Sequence, residues 1–432
     1  MAAAVAGFTI VPRHVLGGPR HVAPSDKLQV AGVGLGGMGT GDLSSVAAGN
    51  HVVALCDVDR RALERNAEHY PDAKRYADFR EMLVQQPEID AVVIATPDHS
   101  HAVISALAME MGKHVHCQKP LTHSVYEARR IGEIARRTGV ATQMGNQGQA
   151  GESARLIAET ILSGALGAVR EVHAGSNRTP SITPRGVARP QESPPIPDYL
   201  NWDLWLGPAP VRPYHPTYHP FSWRSWWDFG TGVLGDIGCH QLSAVFKALE
   251  LGRPTSVEGC SSNHQMPPEI SGETAPVSSI TRWEFPATPE RAAVTVTWWD
   301  GGLKPTRPAE LEADRPFAED DWLYIVGDEG KMYGDRLIPE TRAQQFGTPP
   351  RVLARSPGHY VEWINACKGG PPAGSNFVDH AAHLAEVVLL GNIALRTGKK
   401  LDWDGPNLRF RNSDEANRLI NPPYRAGWEL PA

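Results

Sequence analysis

Short apolar runs alternate with longer amphipathic segments over the first third of the chain, from Lys27 onward. Segments such as RRALERNAEHY carry apolar residues three or four positions apart, which predicts helices. Strands that alternate with helices indicate a parallel sheet with helices on both faces. We therefore predict an α/β fold in which residues 27–148 form a doubly wound domain. The five predicted strands lie in KLQVAGVG, HVVALCDVD, IDAVVIATP, KHVHCQKP and VATQMGN.

The pattern changes after residue 148. SARLIAETILSGALG predicts a helix, and residues 178–200 carry too many prolines for regular structure. Farther along, apolar runs separated by turn residues, such as SITRWEFPA and AAVTVTWWDG, predict a large, open and mostly antiparallel sheet. DHAAHLAEVVLLGNIALRTGKK predicts a long late helix. We expect residues 149–432 to form a second α/β domain.

The composition agrees with a globular protein of two domains, since the chain has 432 residues, 41% of them hydrophobic and 21% charged. The net charge is −6, and no basic stripe indicates a nucleic-acid partner. No run of 18 apolar residues is present, so we expect no membrane span. The five cysteines are scattered without a C-x-x-C pair, which indicates neither a disulfide framework nor a zinc motif.

Residues 1–26 have a different character from the rest of the chain. They begin with small apolar residues and then turn to proline and glycine, like the back half of an export signal without its charged front. A free N-terminal tail is the alternative. The compartment therefore stays open between an exported, periplasmic location and the cytoplasm.

A glycine-rich turn carries the cofactor signal. Gly32, Gly34 and Gly37 have the G-x-G-x-x-G spacing between a predicted strand and a predicted helix, and Asp57 ends the next strand. Such a turn brings the backbone and a helix N-terminus to a pyrophosphate, and the carboxylate accepts from ribose hydroxyls. We predict NAD, with Gly36 and Met38 also at the turn. The Asp57 carboxylate would repel the 2′-phosphate of NADP, which favours NAD. Arg60 and Arg61 are close enough in sequence to weaken that argument.

Four motifs together resemble the glucose-fructose oxidoreductase / inositol dehydrogenase (Gfo/Idh/MocA) family: GVGLGG, ATPDHSHA, CQKP and GDIGCH. The resemblance extends from about Lys27 to about Asp404. It implies a Rossmann domain, then an α/β domain that binds substrate and forms homo-oligomers, here a dimer or tetramer. It also implies NAD or NADP and a small-molecule sugar, polyol or glycoside substrate. The family usually has Glu-Lys-Pro where this chain has Gln118, Lys119 and Pro120.

The resemblance also implies the catalytic residues. Lys119 matches the family's lysine beside nicotinamide, and Asp236 and His240 match its D-x-x-x-H pair. Oxidation of a secondary alcohol requires a base, and histidine suits that role near neutral pH. We therefore expect His240 to be the general base and Asp236 to hold its ring. Lys119 would stabilise the alkoxide.

Further candidates follow from position in the predicted sheet or from aromatic and basic character. The alternative for His99 and His101 is a role as helix-capping or surface histidines, and for Arg178 and Arg224 a place on the surface. Most tryptophans of residues 202–227 have the alternative of anchoring a proline-rich loop. Pro216 and Pro220 argue against a helix that would pair His215 with His219 at a metal, and we expect no metal site. The cofactor candidates are Thr96, Pro97, Asp98, His101, Gln118 and Asn146, and the substrate candidates are Gln147, Arg178, Trp223, Arg224, Trp227 and His240.

Two functions remain open on these residues. One is an NAD-dependent dehydrogenase acting on a carbohydrate hydroxyl. The other is an NAD-dependent glycosidase, which oxidises a sugar carbon transiently, eliminates the aglycone, adds water and reduces the carbon again. A non-catalytic NAD-binding protein is disfavoured because Lys119, Asp236 and His240 are present together. If the protein is exported, we expect it to carry NAD tightly bound.

Overall fold

The computed structural model describes residues 26–178 and 184–431. The N-terminal tail and its resemblance to an export signal lie almost entirely outside the described residues. The described chain forms two sheets, each with its own helices.

The first sheet has six parallel strands in the order β3-β2-β1-β4-β5-β6, which confirms the doubly wound domain. β3 was not predicted, because it has three residues and none of them is buried. The strands are β1 Gln29–Val33, β2 His51–Cys56, β3 Lys74–Tyr76, β4 Ala91–Ile94, β5 His114–Cys117 and β6 Thr142–Met144.

The helices of this domain follow the strands in regular alternation. They are α1 Met38–Ala47, α2 Arg60–His69, α3 Phe79–Gln85, α4 Asp98–Glu110 and α5 Val125–Thr138. Local sequence sets the ends of α5: Ser124 and Glu127 form a capping box at its start, and Gly139 ends it with φ of 68°.

The second sheet has nine strands in the order β13-β12-β11-β7-β10-β9-β8-β14-β15. Only the β7–β10 pair is parallel, so the expected mostly antiparallel sheet is confirmed. The strands are β7 Val169–Ser176, β8 Ser256–Ser261, β9 Ser279–Phe285, β10 Val294–Asp300, β11 Asp321–Gly327, β12 Lys331–Tyr333, β13 Arg336–Ile338, β14 Lys400–Asp404 and β15 Arg409–Phe410.

One face of this sheet packs against a long apolar helix. The helices of the second domain are α6 Glu152–Leu162, α7 Trp202–Leu206, α8 Gly232–Gln241, α9 Ser243–Ala248, α10 Pro268–Ser271, α11 Glu340–Phe346, α12 His359–Cys367, α13 Ala382–Thr397 and α14 Asp414–Ile420. Trp283 of β9 is fully buried, and its indole N–H donates to Val387 O of α13 at 2.9 Å. Together with the π-helical turn before it, α13 spans Phe377–Thr397 and has the length and composition of a membrane span. However, 83% of its most apolar stretch is buried inside the protein.

Late elements of the chain return to the first domain. Trp363 of α12 is fully buried among apolar side chains of β1 and α1, and Met144 N–H of β6 donates to Ser375 O at 3.0 Å. Arg129 of α5 forms two 2.8 Å hydrogen bonds with the buried carboxylate of Glu386 on α13. These contacts fix the two domains so that α8 lies across the carboxyl ends of the first sheet.

The tryptophan-rich segment packs mainly as an anchor. Its rings form one buried cluster that also contacts His99 at the start of α4. The His99 ring lies 2.9 Å from Trp205 O and 3.2 Å from Phe229 O. The buried members are Leu200, Trp202, Trp205, Leu206, Ala209, Tyr214, Tyr218, Trp223, Trp226 and Phe229. The loop is therefore held against the first domain, as the anchoring interpretation predicts.

Candidate functional site

The glycine turn between β1 and α1 has the geometry of a dinucleotide cradle. Gly34 has φ of 80°, and a Cβ there would lie 2.7 Å from backbone atoms of Ala95 and Thr96. A Cβ at Gly32 would lie 2.9 Å from leucine side chains of the turn and α1. These two glycines permit close packing of the turn, α1 and the loop after β4.

The remaining turn residues leave the backbone open. A Cβ at Gly36 or Gly37 would meet nothing within 4 Å, and Met38 at the start of α1 is 53% exposed. Among the residues that the structure describes, no side chain caps α1. Gly39 N–H donates to Gly36 O at 3.1 Å, and the other N–H groups at the start of α1 can face an anion, so the turn fits the pyrophosphate of a dinucleotide.

Asp57 lies at the end of β2, beside this turn. Its Oδ2 accepts a hydrogen bond from Leu35 N–H at 2.6 Å, and its Oδ1 accepts one from Asp59 N–H at 2.8 Å. Burial raises the pKa of this carboxyl to about 6, against the opposing effect of those two hydrogen bonds. The carboxylate borders an open cavity of about 650 Å³ whose far wall is formed by residues 196–203. Ribose hydroxyls placed there would meet an ionised acceptor near neutral pH.

The two arginines that follow Asp57 differ in how free they are. Arg61 donates to both carboxylate oxygens of Asp59, at 3.1 and 2.8 Å, and its guanidinium lies 3.4 Å from the ring centre of Tyr199. Arg60 is exposed and lies 3.8 Å from Glu64. Arg61 is therefore already committed to other partners.

An ion pair across the crevice between the domains forms the centre of the site. Lys119 follows β5, and its Nζ donates to Oδ1 of Asp236 on α8 at 2.5 Å. Arg224 Nε lies 3.7 Å from the same oxygen, and its guanidinium covers the Trp223 ring at 4.3 Å. Burial opposes ionisation of Asp236, but the positive charges of Lys119 and Arg224 hold its pKa below the usual value. Asp236 is therefore a carboxylate at neutral pH.

Contacts at its start hold α8 in place. Thr231 immediately precedes α8, and its hydroxyl donates to Asp98 of α4 at 2.8 Å instead of capping the helix. A Cβ at Gly235 would lie 2.1 Å from the Thr231 hydroxyl oxygen, so only glycine fits in the following turn. Burial raises the pKa of Asp98 to about 7 and that of the Cys239 thiol to about 12. Asp98 thus joins the domains, and Cys239 is a packing residue.

His240 lies one turn beyond Asp236 on the same helix and is half-buried. Within the described ranges its ring makes no side-chain hydrogen bond, and Asp236 interacts with it only through charge. The expected contact in which Asp236 holds the ring is therefore replaced by the contact of Asp236 with Lys119. Burial, reinforced by the charge of Lys119, lowers the pKa of His240 to about 4. The imidazole is neutral near pH 7 and can accept a proton.

His101 holds the lysine turn to the neighbouring loop. Its buried ring lies 2.8 Å from Pro120 O and 2.8 Å from Thr96 O. It therefore supports the site from behind instead of facing a cofactor. Pro97 is the residue before the first turn of α4. The Thr96 hydroxyl is buried and lacks a hydrogen-bond partner among the described residues, which suits a ligand contact.

Three amide candidates make contacts within the protein. Asn146 is fully buried and donates to Cys239 O at 3.4 Å and to the Ser243 hydroxyl at 3.2 Å. Its Oδ1 has no partner among the described residues. Gln147 donates to the Tyr360 hydroxyl at 3.4 Å. Gln118 donates to a buried carboxylate on α1.

Two further substrate candidates, Arg178 and Trp227, differ in whether they face the site. Arg178 is exposed, pairs with Asp321 at 2.6 Å, and contributes positive charge at His240. Trp227 faces away from the pair, since its indole donates to Ser271 O at 3.3 Å and its ring lies 5.5 Å from the Arg396 guanidinium. The structure therefore does not bring Trp227 together with Lys119 and Asp236.

The sequence matches two family models over most of its length. One is described as an oxidoreductase family, NAD-binding Rossmann fold, and matches residues 28–146. The other is the C-terminal alpha/beta domain of that oxidoreductase family, and matches residues 153–266 and 311–430. The chain belongs to the Gfo/Idh/MocA family. Its first domain is thus an NAD-binding Rossmann domain.

Individual curated relatives match this protein over shorter lengths. An inositol 2-dehydrogenase from Rubrobacter xylanophilus is 32% identical over 170 residues, which are 38% of this chain and 48% of the relative. A 1-carboxy-3-chloro-3,4-dihydroxycyclohexa-1,5-diene dehydrogenase from Comamonas testosteroni is 31% identical over 28% of this chain and 30% of its own. The chain spans less than half the length of these curated relatives.

Solved structures resemble this protein over both domains. The WlbA dehydrogenase of Bordetella pertussis, in complex with NADH and UDP-GlcNAcA, has a TM-score of 0.58 at 18% identity, over 87% of this chain and 99% of its own. A levoglucosan dehydrogenase in complex with NADH and levoglucosan has a TM-score of 0.57 at 17% identity, over 87% and 99%. At these identities the likeness concerns the fold.

Three residues of the site were not found from the sequence: Asp42, Thr231 and Tyr360. Asp42 and Tyr360 belong to the network behind Gln118, and Thr231 holds α8. A carboxylate on the buried face of α1 was the one available signal. Among the described residues, no group of three or more His, Cys, Asp or Glu side chains could hold a metal ion.

Asp57→Ser should change the choice of cofactor. A hydrogen bond to a charged group contributes about 1.5–3 kcal/mol, so NAD should bind about 10- to 100-fold more weakly. NADP should lose less, because the substitution also removes a charge that repels its 2′-phosphate. Calorimetric titration of both dinucleotides measures the ratio of the two dissociation constants. Asp72→Ser, at an exposed position, is the control, and an unchanged ratio in Asp57→Ser would contradict the role.

Proposed function

We propose that this protein is an NAD-dependent oxidoreductase that oxidises a secondary hydroxyl of a sugar, glycoside or polyol. The observation that carries the proposal is the meeting of Lys119 and Asp236 in the crevice, with His240 one helical turn farther on. They lie at the carboxyl ends of the Rossmann strands, where open α/β sheets bind ligands. NAD would accept the hydride from the substrate carbon.

His240 is proposed to take the hydroxyl proton. The ring is neutral near pH 7, is half-buried, and leaves its nitrogens without side-chain hydrogen bonds within the described residues. A substrate hydroxyl can therefore reach it. Asp236 contributes a nearby negative charge that favours the imidazolium formed by the transfer.

Lys119 is proposed to stabilise the alkoxide that develops as the proton leaves. Its ammonium is held by Asp236, and the same carboxylate oxygen lies near Arg224. A group fixed before the reaction loses little free energy in reorganising when negative charge grows on the substrate oxygen. Asp236 thus acts chiefly by orienting Lys119.

Two considerations support a carbohydrate substrate and NAD in particular. Relatives and structural neighbours include inositol 2-dehydrogenases and a dehydrogenase structure with levoglucosan. The Asp57 carboxylate and the commitment of Arg61 to Asp59 and Tyr199 disfavour a 2′-phosphate, so we propose NAD over NADP.

The redox-cycling glycosidase is the competing function, since it uses the same lysine, histidine and dinucleotide. Product analysis separates the two functions, because only net oxidation accumulates NADH and a keto-sugar. Release of an aglycone with an unoxidised sugar would establish the glycosidase.

His240→Ala and Lys119→Met should each lower kcat by about 100-fold or more, as expected for loss of a general base or of a donor to the oxyanion. The assay supplies NAD with a panel of hexoses, glycosides and inositols, and follows absorbance at the NADH band together with products. His69→Ala, at the exposed end of α2, is the control. Equal turnover in all three variants and the unaltered protein would overturn the assignment.

The pH profile should lack the usual histidine inflection. His240 must be neutral to accept a proton, and burial lowers its pKa to about 4. At saturating NAD, kcat for oxidation should therefore stay level from about pH 8 to about pH 6 and fall only near pH 4. Asp98 is compared as Asp98→Asn, because burial raises its pKa to about 7. An inflection near pH 6.5 that persists in that variant would contradict the role of His240.

We also propose that NAD stays bound between turnovers. Residues 196–203, here called the strap, belong to the second domain and line one side of the open cavity beside Asp57. Arg60 N–H donates to Tyr199 O, and Asn201 N–H donates to Val58 O, each at 2.9 Å. The strap is thus hydrogen-bonded to the loop after β2, and we propose that it slows the release of a dinucleotide held beside Asp57.

Tyr199→Ala should shorten the retention of NAD. The substitution removes the ring beneath Arg61 and part of the cavity wall, so NAD should dissociate about tenfold faster, in line with the loss of one cation–π contact. Rapid gel filtration followed by nucleotide analysis measures what remains bound. Gln191→Ala, exposed and earlier in the same segment, serves as the control. Purified protein that holds no nucleotide and binds NAD weakly would rule out retention.

A further inference from the structure

The residue before Lys119 is an amide that donates to a buried carboxylate. Gln118 is 6% exposed, and its Nε2 donates to Oδ2 of Asp42 at 2.6 Å. Asp42 is fully buried on α1, the helix that follows the glycine turn. Its other oxygen, Oδ1, accepts from the Tyr360 hydroxyl at 2.6 Å. Burial raises the pKa of Asp42, and the hydrogen bonds from Tyr360 and Gln118 oppose that shift by favouring the carboxylate. As a carboxylate Asp42 only accepts hydrogen bonds, so position 118 supplies a donor.

The other end of the same amide faces the lysine turn. Oε1 of Gln118 accepts from Lys119 N–H at 3.3 Å, and Gln118 N–H donates to Ile94 O at 2.9 Å. A Cβ at Gly145 would lie 2.7 Å from the Gln118 amide carbon, so the loop after β6 confines this side chain. The amide therefore has one arrangement that satisfies its neighbours, with nitrogen toward Asp42 and oxygen toward Lys119.

We propose that Asp42, acting through Gln118, is the positioning carboxylate for Lys119, and that position 118 must be an amide because α1 supplies the carboxylate. The inference rests on the proposed oxidoreductase function, since it concerns how Lys119 is aimed at the substrate oxygen. It joins the orientation of Lys119 to the helix that begins at the dinucleotide turn. Lys119 is thus held from its side chain by Asp236 and from its backbone by Gln118.

The polarity of the pair gives the test. In Gln118→Glu the new carboxyl would face Asp42 at hydrogen-bond distance, and the two groups cannot both stay ionised there. At an assay pH of about 9, where the pair loses the proton it would otherwise share, repulsion should turn the side chain at 118 away and take the lysine turn with it. We expect kcat to fall roughly 10- to 100-fold, as for a misplacement of about 1 Å at a reacting group. The dissociation constant for NAD should change by less than about threefold, because the glycine turn and Asp57 are untouched.

The double variant Asp42→Asn with Gln118→Glu reverses donor and acceptor. The amide at 42 can then donate to the carboxylate at 118, and kcat should return to within about threefold of the unaltered protein. Gln86→Glu is the matched control. It adds a carboxylate at a residue that is 1% exposed in the same domain and that donates to the Tyr76 hydroxyl, far from Lys119 in the fold. It should lower the unfolding midpoint but leave kcat within about threefold.

A second readout does not depend on turnover. The rate at which an amine-reactive reagent modifies Lys119, followed by peptide mass spectrometry, should rise severalfold in Gln118→Glu and return in the double variant. A double variant no better than the single one by either readout would overturn the inference, as would a Gln118→Glu protein like the unaltered one. If the unaltered protein oxidises no carbohydrate, the proposed function fails, and the Lys119 modification rates still decide the positioning role.

Discussion

An ion pair between Lys119 and Asp236 crosses the crevice between the domains, and the candidate site depends on it. Each partner comes from a different domain, and both side chains are largely buried. A buried carboxylate that lost its cation would favour protonation or force the crevice to open, because desolvation strongly penalises an isolated charge. The relative position of the domains and the ionisation of Asp236 therefore depend on each other.

Other contacts across the crevice serve the same geometry. Thr231 with Asp98 fixes the start of α8, and Asn146 with Cys239 O fixes its last turn. His101 joins the two loops that follow β4 and β5. The arrangement holds functional groups on structured elements, which is how sites achieve the positional accuracy that catalysis requires.

Local signals carried much of the prediction. The glycine spacing with Asp57 identified the Rossmann turn, since its residues lie in one strand-turn-helix unit. Asp236 and His240 were found because they are four residues apart on one helix face. Their spacing showed a shared face but not the partner of each side chain. Asp236 bonds to Lys119, 117 residues away in the sequence, and only tertiary structure brings the two together.

The remaining misses have the same origin. β3 has no buried residue, so it left no hydrophobic pattern to find. Trp227 belongs to an aromatic run that touches the site at Trp223, but its own ring packs beside Arg396. Asp42 looked like an ordinary helix residue because the donors that define its role, Gln118 and Tyr360, come from distant parts of the chain.

The return of α12 to the first domain has a consequence for synthesis on the ribosome. Trp363 completes the apolar layer over β1 and α1, and Ser375 accepts the hydrogen bond of Met144 in the edge strand β6. The ribosome makes both residues more than two hundred positions after β6, which takes roughly ten to forty seconds at ordinary elongation rates. During that interval the nascent Rossmann domain lacks part of the apolar cover over β1 and α1, and an edge amide lacks its partner. Its completion therefore waits for nearly the whole polypeptide, and the nascent chain meets the conditions under which chaperones bind.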